Sequence, residues 1–157
     1  GVADDFYLIH RDQPLRLRAD NLHEALTALT NTTRAQVTFQ APWLLVHLDR
    51  DRLAANVRVR HQATAARLSN SPPRRRIQFC DRGWPSIQPE LSQALSLPLL
   101  PKPNAREAMH LTRVNLAGWG LTDAEVLQAL ALAGGTTVTI QRNRASVEPG
   151  SRLGRGP

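Results

Sequence analysis

Cysteine occurs once, at Cys80, in this chain of 157 residues. That excludes an internal disulfide framework and, with no C-x-x-C pair, a cysteine zinc site. Aromatic residues make up only 4%, so a core must be built mostly from Leu, Ala and Val. No apolar run approaches the roughly 18–20 residues of a membrane-spanning helix. The longest runs, 41–48 and 95–101, contain His47 or prolines. Lysine occurs once, at Lys102, and the other basic residues are arginine, which reads as a coding bias and not as selection for phosphate. Catalytic signatures are missing too: there is no Gly-x-Ser-x-Gly, Gly-x-x-x-x-Gly-Lys or Gly-x-Gly-x-x-Gly. His10, His23, His47, His61 and His110 are scattered, with no pair at i and i+4 to share a metal. Cys80 sits near arginines, which favour a thiolate, but a lone cysteine reads as an inert, partly buried thiol. The expectation is therefore no enzymatic activity, no cofactor and no metal.

What is present is charge in one place. The formal net charge is +7. Residues 50–82 hold nine arginines against Asp51 and Asp81, and the rest of the chain balances. Such a stretch attracts phosphate backbones or acidic surfaces. The other reading is a solvated insertion or inter-unit connection. For a polyanion site, the candidate residues are Arg58, Arg60, Arg74, Arg75 and Arg76. Of the three tryptophans, Trp43, Trp84 and Trp119, all suit packing. Gly118-Trp119-Gly120 reads as a turn with a bulky tip, which makes Trp119 a candidate partner contact.

Periodicity predicts two similar units. Leu22, Leu26 and Leu29 share one helix face, and Asn21 with Glu24 has the form of a capping box. Pro14 to Arg18 alternates before this helix and Gln36 to Gln40 alternates after it, as strands do. Near the C-terminus, Thr122 and Glu125 form a second box, Gly134-Gly135 a stop, and Thr137 to Gln141 a strand. Val114 and Leu116 mark the strand before it. At an offset of 101, Glu24, Leu26, Ala28, Leu29, Val37, Thr38 and Gln40 meet identical residues. Asn56 to His61, Ala63 to Leu68 and Arg76 to Phe79 suggest a third, weaker strand–helix–strand unit. The expected fold is α+β: two strand–helix–strand units with small sheets, joined by a long irregular, basic and Pro-rich middle. The expected divisions are a segment 1–13, a first unit with basic extension 14–80, a Pro-rich linker 81–110, a second unit 111–149 and a flexible tail 150–157. Beginning at Gly1 and not Met, the chain is expected to be a processed form.

The stretch Val114 to Pro149, with its Leu127–Ala133 helix, Gly134-Gly135 stop and Gln141–Arg144 turn, resembles half of the short N-terminal (STN) domain shared by secretins and TonB-dependent receptors. Leu15 to Pro42 resembles the other half through Glu24-Ala25-Leu26-Thr27-Ala28-Leu29. The resemblance covers about 65 of the 157 residues and rests on structural motifs. It implies two strand–helix–strand units packed as helices against small sheets. It further implies a periplasmic signalling or gating module that docks another protein, a membrane-associated regulator or secretion component, at the outer membrane. The alternative is a small basic nucleic-acid-binding module using 50–82, which would place the chain in the cytoplasm.

Overall fold

The computed structural model describes residues 12, 15–48, 55–73 and 75–150. The fold is α+β. Helix α1 runs Leu22–Thr33 and is followed by strands β1 (Gln36–Gln40) and β2 (Trp43–His47). Then come β3 (Asn56–Val59), α2 (Gln62–Ser69) and β4 (Arg75–Gly83). Helix α3 (Trp84–Ala94), β5 (Leu99–Pro101), a 3-10 turn (Pro103–Ala105) and α4 (Arg106–Leu111) follow. The described chain ends with β6 (Arg113–Leu121), α5 (Asp123–Gly134), β7 (Thr136–Ile140) and β8 (Ala145–Pro149).

Local chemistry sets the ends of the two long helices. At α5 the Thr122 hydroxyl accepts the Glu125 amide, and the Glu125 carboxylate accepts the Thr122 amide at 2.7 Å, a complete capping box. At α1 the Asn21 side chain accepts the Glu24 amide at 2.9 Å, but the Glu24 carboxylate reaches one residue further, to the Asp20 amide. Both helices stop at a left-handed residue, Arg34 at φ 58° and Gly135 at φ 56°. Each is followed by an antiparallel hairpin, β1–β2 or β7–β8. The similarity at offset 101 therefore marks a repeated helix–hairpin.

The sheets join a different pair of units. Strand β3 runs parallel to β7, extending the hairpin into the four-stranded order β3-β7-β8-β5. Strand β4 pairs antiparallel with β6 in a second sheet. The two strand–helix–strand units that share sheets are thus 56–83 and 113–140. Residues 15–19 form no strand and are exposed, a correction to the strand expected from Pro14 to Arg18. Alternation makes a strand only where a neighbouring strand takes up its backbone hydrogen bonds. The segments 1–11 and 151–157 lie outside the described residues, as do Pro14 and Arg74.

A second correction concerns 81–110, which is core and not linker. In α3, Trp84, Ile87 and Leu91 face inward and are buried, as are Leu95, Leu97, Leu99, Ala105 and Met109. Two of the prolines that suggested irregular chain occupy tolerated places, while Pro89 lies inside α3. Pro85 lies in the first turn of α3, and Pro103 opens the 3-10 turn, where a missing N–H costs no helical bond. Strand β5 pairs parallel with β8, and the Trp84 amide donates to the Thr112 carbonyl at 3.0 Å. Helix α5 packs against β6 and β4 of one sheet, against β7 and β3 of the other, and against α2. Helix α1 with its hairpin makes a small satellite around Ala35 and Val46, but Trp43 leaves it to join the main core.

Replacing Ile87 by Ala tests the inclusion of α3. The side chain is wholly buried, so truncation should cost about 2–5 kcal/mol in urea unfolding, comparable to Leu130→Ala in α5. A cost under about 0.5 kcal/mol would return residues 84–94 to the status of linker.

Candidate docking face and the placement of the arginines

Gly118-Trp119-Gly120 lies within β6 and is not a turn. Each residue has its own reason to be there. A Cβ on Gly118 would come within 2.9 Å of both the Trp43 ring and Leu121, so glycine leaves room for the edge of Trp43. Gly120 has φ +61° and nothing near its Cβ position, so its freedom serves the backbone alone. In register, Arg75 opposes Leu121 and Ile77 opposes Gly118. Trp119 and Gly120 therefore both face Arg76 across a β-bulge.

The consequence is a sorted pair of faces. Ile77 and Phe79 of β4, with Val114, Leu116 and Gly118 of β6, point into the core. Arg76, Gln78 and Cys80 of β4, with Ala117 and Trp119 of β6, are exposed on the opposite face. The three tryptophans divide accordingly. Trp43 and Trp84 are 5% and 3% exposed and act as packing anchors, whereas Trp119 is 67% exposed. Sequence reasoning singled out Trp119 and Arg76 for different roles, and the bulge brings them opposite one another. It missed their companions Gln78 and Ala117, which are directly paired in register. A polar and a small residue carry no signal until their strands are aligned. Cys80 is free and exposed, contrary to the partly buried thiol expected. The reason is the pleat: it follows the inward Phe79 and so faces out.

The basic stretch does not form one surface. The Arg75 guanidinium donates to the Asp123 carboxylate at 3.2 Å and to the Ala94 carbonyl, tying β4 to the start of α5 and the end of α3. The Asp123 amide in turn donates to the Ser71 hydroxyl at 2.6 Å. Arg82 bonds Glu90 at 2.7 Å and lies over the Phe79 ring at 5.3 Å. Arg67 donates to the Leu95 carbonyl. These arginines stitch elements together, so 55–82 is not a solvated insertion. Arg76 is exposed and reaches Gln78 at 3.5 Å.

Arg58 and Arg60 lie elsewhere, on and just after β3, and both are exposed. The Arg60 amide donates to the Ile140 carbonyl at 3.0 Å, which brings it beside the β7–β8 turn. That turn, closed by the Gln141 amide on the Arg144 carbonyl at 2.9 Å, carries Arg142 and Arg144. Residues Gln141 to Arg144 line an open hollow of about 360 Å³. Arg142 and Arg144 fall outside the 50–82 window, so only the closed sheet reveals them as neighbours of Arg58 and Arg60. The polyanion candidates are therefore split: Arg58 and Arg60 at one sheet end, Arg75 and Arg76 on the other sheet. Among the described residues, no three His, Cys, Asp or Glu side chains cluster as a metal site.

Comparisons with protein-family models, with curated proteins and with solved structures find no match to this chain.

The two arginines of β4 should respond oppositely to truncation. Arg75→Ala leaves the largely buried Asp123 without its partner, so unfolding in urea should show a loss of about 1–3 kcal/mol. Arg76→Ala, on the open face, should change stability by less than about 0.5 kcal/mol. Equal effects would contradict the division of roles.

Proposed function

We propose that the chain is a non-enzymatic protein–protein interaction module resembling the periplasmic signalling or gating domain of an outer-membrane secretin or TonB-dependent transducer. The observation that carries the reading is Trp119, held 67% exposed at the centre of a β-bulge on the open face of the β4–β6 sheet. A tryptophan kept in water by two flanking glycines, with an arginine across from it, has the composition of a binding hot spot. The fold adds support of a general kind. Helices packed against small sheets are what the resemblance implies, but the strand–helix–strand units that share sheets are 56–83 and 113–140, and the 15–42 half that carried the resemblance is a helix and hairpin. The partner proposed is a membrane-associated regulator or secretion component, met in the periplasm. Among the described residues no helix is long and apolar enough to cross a membrane.

The test is a photo-crosslinking amino acid at position 119 of the full chain, expressed in its own cells, with the exposed Thr27 of α1 as control site. The expected outcome is one discrete protein adduct from position 119 and none from position 27. No adduct, or the same adducts from both positions, would remove the reading. Trp119→Ala should leave stability within about 0.5 kcal/mol of the parent, because the ring touches little of the core.

The nucleic-acid reading keeps one specific observation, the Arg58, Arg60, Arg142 and Arg144 group. Its expected affinity for mixed oligonucleotides at about 150 mM salt is weaker than roughly micromolar, as for nonspecific electrostatic association. A submicromolar affinity by fluorescence anisotropy that persists at that salt and is lost when these four become Ser would promote it.

A further inference from the structure

Strand β3 is an edge. It pairs with β7 on one side, and among the described residues nothing pairs with its other side. The Arg60 amide points to β7, onto the Ile140 carbonyl. Backbone groups alternate in direction along a strand, so Arg58 also faces β7, while Val57 and Val59 aim their amides and carbonyls at the open edge. Natural edges are commonly blunted by charge against indiscriminate pairing. Among the described residues here the charge is of one sign: Arg58 on the strand, Arg60 just after it, Arg142 and Arg144 on the turn beside it.

None of these four arginines has a carboxylate partner among the described residues. The acid closest in sheet register is Glu148, which opposes Thr137, itself opposite Asn56. Glu148 is held by Lys102 at 2.6 Å. Among the described residues, then, no acid of the chain takes up this guanidinium charge. Guanidinium forks pair well with both carboxylates and phosphates, so the occupant is decided by what else is present. Among the described residues a base-stacking surface is not: the exposed Phe39 and Trp119 lie on the other two sheets. A strand edge that no described residue pairs with is present, and only a polypeptide can use it.

We infer that the open edge of β3 is a second docking site, which takes an extended acidic segment of a partner protein as an added strand. Its backbone pairs with Val57 and Val59, and its carboxylates meet Arg58, Arg60, Arg142 and Arg144. Main-chain bonds supply the seat and the arginines supply the choice of partner. This site rests on the protein-docking reading above and deepens it by naming the chemistry of a partner, but it lies on a different sheet from Trp119.

The probe is a fluorescein-labelled peptide of alternating Val and Glu, ten residues long, added to the full chain at 150 mM salt. Two readouts are taken: anisotropy, and amide hydrogen exchange by NMR. Binding should slow exchange at the Val57 and Val59 amides specifically. Changing Arg142 and Arg144 together to Ser should weaken it about tenfold, as should changing Arg58 and Arg60. These side chains are exposed, and thermal melts of each variant establish that the fold is retained. Peptide binding that leaves Val57 and Val59 exchanging as before would overturn strand addition. Absence of binding would overturn the site altogether. Tighter binding of a ten-residue oligothymidylate, lost in the same variants, would replace the acidic segment with nucleic acid. A discrete adduct at Trp119 without peptide binding sinks this edge site alone. Peptide binding without that adduct sinks the Trp119 face alone.

Discussion

Helix α5 is apolar nearly all the way round, and the architecture follows from having to cover it. Val126, Leu127, Ala129, Leu130, Ala131 and Ala133 are all buried, and they occupy more than one face of a helix with 3.6 residues per turn. A helix of this kind cannot lie on a surface. It needs a cover on several sides, and a single hairpin cannot supply one. The chain meets that requirement with β4–β6 and β3–β7–β8–β5, with α2 alongside. Small side chains at 129, 131 and 133 allow these layers to approach closely. The Arg75–Asp123 pair then fixes the start of α5 to β4, so the helix is anchored by polar as well as apolar contacts.

The same covering requirement explains the exposed faces. A two-stranded sheet used as one wall has its other face in water, and a bulge decides which side chain is held there. Gly118 yields space inward to Trp43, and Gly120 supplies the left-handed backbone, so Trp119 is turned out. The four-stranded sheet likewise ends in β3 and β5, each with one edge unpaired among the described residues. At β3 that edge coincides with arginines from two distant parts of the chain. Structure and surface chemistry are therefore linked: the proposed docking sites lie where the layers around α5 run out of partners among the described residues.

Much of this was legible locally and little of it globally. The cap residues Asn21, Glu24, Thr122 and Glu125 announce both long helices because a cap is written within four residues. Alternation at 36–40 and 137–140 announces strands for a similar reason. Strand pairing is not local: Asn56 meets Thr137 in β3–β7, and nothing near either residue encodes the other. The match at offset 101 is real as a repeat of helix and hairpin, yet it pointed to the wrong pair of units for the sheets. Prolines misled over 81–110 because a proline in a first helical turn looks the same in sequence as one in a linker. The site was legible only in part. Trp119 stood out as a bulky residue between glycines, but its placement opposite Arg76 depended on a bulge, and Arg142 and Arg144 became relevant only once β7 lay beside β3.

The central structural claim is that 56–83 and 84–112 belong to one cooperative core with α5. Native-state hydrogen exchange tests it at amides that cross between these parts. The Trp84 amide donates to Thr112, the Lys102 amide to Val147 and the Arg60 amide to Ile140. Core amides that open only with the whole domain share one opening free energy. The account predicts that these three exchange with opening free energies within about 1 kcal/mol of that for Leu130 in α5. Trp84 and Lys102 exchanging at the rate of unstructured chain, while Leu130 stays protected, would contradict it.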